Sequence, residues 1–109
     1  MCRAIKVLCV ANDPELLLEV KRAVVGAEWE LCAGAVGAVE ASAQLEAERP
    51  HILVVWGAFD ELVGSAREGW PALRIVTDRE LPEADAVVAS LGQLREAIRA
   101  TPHPGGPVR

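Results

Sequence analysis

Several residues have a type and placement that bear on chemistry. Cys9 lies near the end of an early apolar run, IKVLCV from Ile5 to Val10, and Asn12 and Asp13 follow it. Trp56 follows the aliphatic run Ile52 to Val55, and Thr77 closes LRIVT from Leu73. In open α/β sheets, ligands and reactions gather at the carboxyl ends of the strands. There a carboxylate can bind a hard cation, a hydroxyl can bond an oxyanion and a thiol can act as a nucleophile. Trp56 can do none of these, because an indole packs and donates one hydrogen bond but neither accepts a phosphoryl group nor holds a metal.

Neither Cys9 nor Asp13 has the company an enzyme would need, since no base, oxyanion donor set or phosphate loop accompanies either. Asp13 stands directly before Pro14 and reads as a helix cap rather than a metal ligand. Cys9 and Cys32 fall on neighbouring strands and read as small core residues. With Cys2 they form an odd set without metal-type spacing, which suits a reducing cytoplasm. His51 begins a strand and reads as an edge or surface histidine, and His103 lies in the C-terminal tail. Glu80, Glu83 and Asp85 form a solvated acidic loop that could also offer a partner its charge complement. Trp29 and Trp70 sit at element ends, as structural plugs or as interface anchors.

The elements that must position these groups follow from periodicity. At 109 residues there is room for one domain with a real core. Hydrophobic content is 51% and aromatic content only 4%, so that core is built from aliphatic residues, as in a parallel sheet covered by helices. A net charge of -5 argues against nucleic acid as a direct ligand, no apolar run is long enough to span a membrane, and Met1-Cys2-Arg3-Ala4 leads straight into strand-like sequence, so no signal peptide is expected.

Strands are expected at Ile5 to Val10, Trp29 to Ala33, Ile52 to Val55, Leu73 to Thr77 and Ala86 to Ala89. The third reads as central, because four consecutive aliphatics between Pro50 and Gly57 suit a strand buried on both faces. A first helix starts after Asp13 and closes at Gly26, and a second runs from about Ala38 to Glu48 with Ala38, Ala41 and Leu45 inward. Phe59, Leu62, Val63, Ala66 and Trp70 make one helical stripe, and Ser90-Leu91-Gly92-Gln93 has the form of a capping box opening a last helix.

One junction is short. Only eight residues, Asp78 to Asp85, separate the fourth and fifth strands. Returning past a strand means covering roughly 17 Å, and eight extended residues reach roughly 26 Å, so a bare loop can make the return and a full helix cannot. Either the fifth strand is parallel and one sheet face lacks its cover there, or that strand is antiparallel.

From Ile5 to Ala100 this pattern resembles a response-regulator receiver domain. Ala41, Leu45, Arg49 and Pro50, followed by the aliphatic strand, have the order and spacing receivers use before their phosphoacceptor aspartate. The opening VANDPELL resembles the family's VDDDPEL, and the sequence of strand, Thr77, short strand, SLGQL and helix also matches. The resemblance implies an α/β, flavodoxin-like (CheY-like) three-layer fold with a five-stranded, mainly parallel sheet in the order 2-1-3-4-5 and a fourth helix missing or vestigial. It places a pseudo-receiver domain at 1–101 and a flexible Pro/Gly-rich tail at 102–109.

It also implies a degenerate phosphorylation pocket. Ala11 and Asn12 stand where the family's acidic pair holds Mg²⁺, with Asp13 one position late. Trp56 takes the phosphoacceptor position, Thr77 is retained, and Ala89 replaces the family's lysine. The implied molecule is no enzyme and uses neither metal nor cofactor. It is a cytoplasmic, phosphorylation-independent signalling module that binds a protein partner, a second copy of itself, or both. With the fourth helix gone, Leu73, Ile75, Val87 and Trp70 become the candidate interaction surface. The alternative is an atypical receiver sensing a small molecule around Asn12, Trp56 and Thr77, and what discriminates the two is whether Trp56 fills that pocket or lines an opening.

Overall fold

The computed structural model describes residues 5–25 and 29–100. Cys2, the expected helix end at Gly26, His103 and the tail lie outside the described residues. The chain forms β1 (Ile5–Ala11), α1 (Pro14–Val24), β2 (Trp29–Leu31), β3 (Ala35–Val36), α2 (Ala38–Glu48), β4 (Ile52–Val55), α3 (Asp60–Gly69), β5 (Arg74–Thr77), β6 (Ala86–Val87) and α4 (Leu94–Ala100). A single 3₁₀ turn, Leu91–Gln93, leads into α4.

The strands lie in the order β2-β1-β4-β5-β6, and β3 also pairs with β1. Every pairing is parallel. The expected second strand, Trp29 to Ala33, ends at Leu31, and a further short strand not expected from the sequence, Ala35–Val36, pairs with the same edge of β1 after the chain leaves the ladder at Ala33 and Gly34, where φ reaches 91°. β4 lies between β1 and β5 with all four residues buried.

Alternation along the strands builds two cores. Leu8, Val10, Leu53, Val55 and Ile75 meet Ala41 and Leu45 of α2 and Leu62, Val63 and Ala66 of α3. Ala38, expected to face inward with them, is exposed, because it opens the first turn of α2. Val7, Cys9, Ile52, Val54 and Val76 meet Val20 and Val24 of α1 and Leu94 and Ile98 of α4. The helices begin as local chemistry dictates. Asp13 Oδ1 accepts from the Leu16 N–H at 2.8 Å, and Pro14 takes the first helical position. The expected capping box at Ser90 forms only in part. Gln93 Oε1 accepts from the Ala89 N–H at 2.7 Å, while the Ser90 side chain makes no cap bond. The 3₁₀ winding there places the glutamine one residue beyond its usual target.

The short junction is closed without a helix, and β6 is parallel to β5, with Val76 paired to Ala86 and Thr77 to Val87. Arg67 on α3 holds the junction in place. Its guanidinium donates to the carbonyls of Pro71 (3.0 Å), Leu73 (2.9 Å) and Glu83 (2.9 Å) and to Asp85 Oδ2 (2.7 Å). Asp85 in turn accepts from the Ile75 N–H at 2.8 Å and donates its own N–H to the Ile75 carbonyl at 2.8 Å. Asp85 is thus a structural clasp rather than part of a solvated acidic loop.

This arrangement corrects the expected interaction surface. Leu73 and Ile75 are 3% and 0% exposed, because both face α3 and Leu81 of the junction packs against the same cluster. The missing helix uncovers the outer strand instead. Val87 is 47% exposed, and Trp70 is half-buried.

Candidate functional site

The carboxyl ends of β1, β4, β5 and β6 bring the expected pocket residues to one end of the sheet, with different fates. Ala11 is fully buried at the end of β1. Asn12 and Asp13 are exposed, and the Asp13 carboxylate is engaged as the cap of α1. Trp56 extends the ladder one step past β4, its N–H donating to the Val10 carbonyl at 2.9 Å. Its half-buried ring lies against the apolar cluster under α1 and α4, as strand alternation after Val55 requires. Thr77 is fully buried, and its hydroxyl donates to the Arg79 carbonyl. Ala89 is exposed beyond β6, its N–H held by Gln93.

Two residues that sequence reasoning missed complete the site. The Gly57 N–H donates to Asp78 Oδ1 at 3.0 Å. Gly57 has φ 121°, and a Cβ placed on it would lie 2.9 Å from Asn12 Nδ2. Asn12, Gly57 and Asp78 therefore converge where β1, β4 and β5 end. The available signal was positional: Val55 pairs with Thr77, and Gly57 and Asp78 follow just beyond this pair.

The residues do not fit the hard dication that receivers bind at this end. Such an ion needs several convergent carboxylate or carbonyl oxygens. Here the positions present a methyl group, a neutral amide and an indole, and the two nearby carboxylates, Asp13 and Asp78, each give one oxygen to a backbone N–H, of Leu16 and of Gly57. Among the described residues no three His, Cys, Asp or Glu side chains cluster as metal ligands would. Thiol chemistry has no support either. Burial pushes the Cys9 thiol up to about 12 and also raises Cys32, so both stay protonated near neutral pH.

Two cavities stand out, and neither is lined by Asn12, Trp56 or Thr77. One of about 330 Å³ lies beside Glu80, Leu81, Pro82 and Val87. The other, about 280 Å³, opens among the segments 49–51 and 69–73, which precede β4 and β5.

No protein-family model and no curated protein sequence matches the chain. Solved structures do. The chain superposes on the response regulator domain of Thermotoga maritima CheB with a TM-score of 0.76 at 15% identity, covering 91% of this chain and 96% of that one. The fold is that of a receiver domain. A CheY-like receiver domain protein from Methanospirillum hungatei JF-1 matches at TM-score 0.72 and 22% identity, over 89% and 92% of the two chains. The isolated REC domain of RcsB from Salmonella enterica serovar Typhimurium, solved with the phosphomimetic BeF3-, matches at 0.71 and 16%, over 90% and 88%. Against this receiver fold, the chain keeps the sheet order and replaces the helix between β5 and β6 with the Arg67 clasp. No helix among the described residues is long and apolar enough to cross a membrane.

Proposed function

We propose that this chain is a non-catalytic signalling and regulatory module of receiver fold that works by binding protein, with no aspartyl phosphorylation. One observation carries the reading. Past the end of β4, where a receiver presents its reactive acid, Trp56 lies in an apolar cluster and the next N–H, that of Gly57, is already bound to Asp78. The neighbouring polar groups are likewise committed inside the chain: the Thr77 hydroxyl to Arg79, the Ala89 N–H to Gln93 and the Asp13 carboxylate to Leu16. A conformation held by internal bonds does not need a phosphoryl group to hold it.

The partner surface is the open edge at β6, where exposed Val87 lies beside Leu81 and Pro82 and is flanked by Glu80. A solved structure holds two RcsB dimers bound to two parallel DNAs, and this chain covers 63% of that RcsB chain. Of those two properties we carry over self-association alone, because a net charge of -5 opposes phosphate backbones. The ligand-sensing alternative gains nothing from the structure, since Thr77 has no exposed surface and the Trp56 ring packs against the core.

The test uses two measurements. Adding Mg²⁺ and beryllofluoride should leave the backbone amide spectrum unchanged. Saturable shifts at Gly57, Asp78 and Thr77 would overturn phosphate independence. Light scattering during size exclusion should show self-association that Val87→Glu abolishes, or a monomer whose purified partner is lost with the same substitution. Association indifferent to that substitution would remove the β6 edge as the surface.

A further inference from the structure

The second cavity lies at the other end of the sheet, far from every residue discussed as a phosphorylation site. Its walls come from two turns that precede adjacent strands: Arg49-Pro50-His51 before β4 and Gly69 through Leu73 before β5. The second turn is rigidly built. The Trp70 N–H donates to the Ala66 carbonyl at 2.8 Å, the Leu73 N–H to the Trp70 carbonyl at 3.0 Å, and Arg67 grips the carbonyls of Pro71 and Leu73 from α3. Pro50 and Pro71 stiffen the two walls. His51 is held by the Lys6 N–H, which donates to its Nδ1 at 3.0 Å.

The lining is apolar apart from Arg49 and His51. Arg49 is exposed, and its guanidinium makes no ion pair or hydrogen bond with a described residue. Glu48, its neighbour in sequence, pairs with Lys6 instead. Arg49 also holds φ 49°, a left-handed conformation that glycine or asparagine would adopt more easily.

We propose that this cavity binds a small aromatic carboxylate, its ring against Trp70 and the two prolines and its carboxylate on the Arg49 guanidinium. A planar guanidinium matches a carboxylate with two parallel hydrogen bonds, and an indole beside prolines offers a flat apolar face. A volume of about 280 Å³ lies at the small end of ligand sites, which suits a one- or two-ring acid and is too small for a folded peptide segment. The proposal is independent of the reading of the β6 edge, since the two surfaces share no residue.

The probes are 1-naphthoate and its neutral counterpart 1-naphthalenemethanol. The readout is the three indole N–H signals of Trp29, Trp56 and Trp70, assigned with single Trp→Phe variants. Naphthoate should shift the Trp70 signal saturably, with a Kd of about 0.1–1 mM, and leave the signals of Trp29 and Trp56 in place. Arg49→Gly, which suits the local backbone and so keeps the fold, should weaken naphthoate about five- to tenfold and leave naphthalenemethanol within about twofold. No saturable shift, equal shifts at all three indoles, or equal loss of both probes in Arg49→Gly would overturn the proposal.

Discussion

The guanidinium of Arg67 and the carboxylate of Asp85 meet at 2.7 Å, joining α3 to the strand edge of β5 across the place where a helix is missing. Eighteen residues separate them in sequence, and both are about three-quarters buried at the side chain. This contact, together with the three carbonyls Arg67 also holds, is what lets an eight-residue loop return the chain parallel to β5.

Arg67→Met should therefore destabilise the domain by about 2–4 kcal/mol, since it leaves several partly buried acceptors unpaired. Asp85→Asn should cost less, about 1 kcal/mol, because an amide oxygen can still accept from the Ile75 N–H. Urea denaturation followed by circular dichroism measures both. A loss below about 0.5 kcal/mol for Arg67→Met would mean that the junction holds itself.

Gly57 has a backbone that L side chains avoid, at φ 121°, as well as a close neighbour in Asn12. Gly57→Ala should cost about 1–3 kcal/mol, and the double variant Asn12→Ala, Gly57→Ala should recover little of it. The neighbour is the end of a flexible side chain that can swing away, whereas the backbone cannot relax without breaking the bond to Asp78. Full recovery in thermal melts of the double variant would place the cost in the contact instead.

Trp56→Asp replaces a ring packed against the α1 and α4 cluster with a charge in the same position. The expected loss is about 2–3 kcal/mol in urea melts. Phosphorylation by acetyl phosphate should not return, since the neighbouring positions still offer Ala11, Asn12 and Ala89. A variant as stable as the parent and readily phosphorylated would show that the rest of the pocket is intact.

Alkaline pH should weaken the fold through Cys9. Burial raises its thiol from 9.0 to about 12, so between these values the unfolded chain holds fewer protons than the folded one. Stability is then fully present below about pH 9 and falls as pH rises toward 12, with a slope approaching about 1.4 kcal/mol per pH unit. Cys9→Ala lowers stability at neutral pH by leaving a small cavity, but its urea midpoint should decline less steeply across that window. Equal slopes would show that other groups govern the alkaline loss.

Sequence alone determined what local periodicity can encode. Four aliphatics between a proline and a glycine made β4 central, the stripe from Phe59 to Trp70 made α3, and Ala41 with Leu45 set the inward face of α2 between Ala38 and Glu48. These are legible because side-chain period and capping act within a few residues of one another. The resemblance to receivers likewise rests on the spacing of such local features.

Only the tertiary structure decided how distant parts were joined: the direction of β6, the burial of Leu73 and Ile75, the clasp of Arg67 on Asp85, and the bond from Gly57 to Asp78. The physical reason is common to all four. A polar side chain chooses its partner, and an apolar one its cover, from groups that strand order and register bring within about 3–4 Å, whatever their separation along the chain.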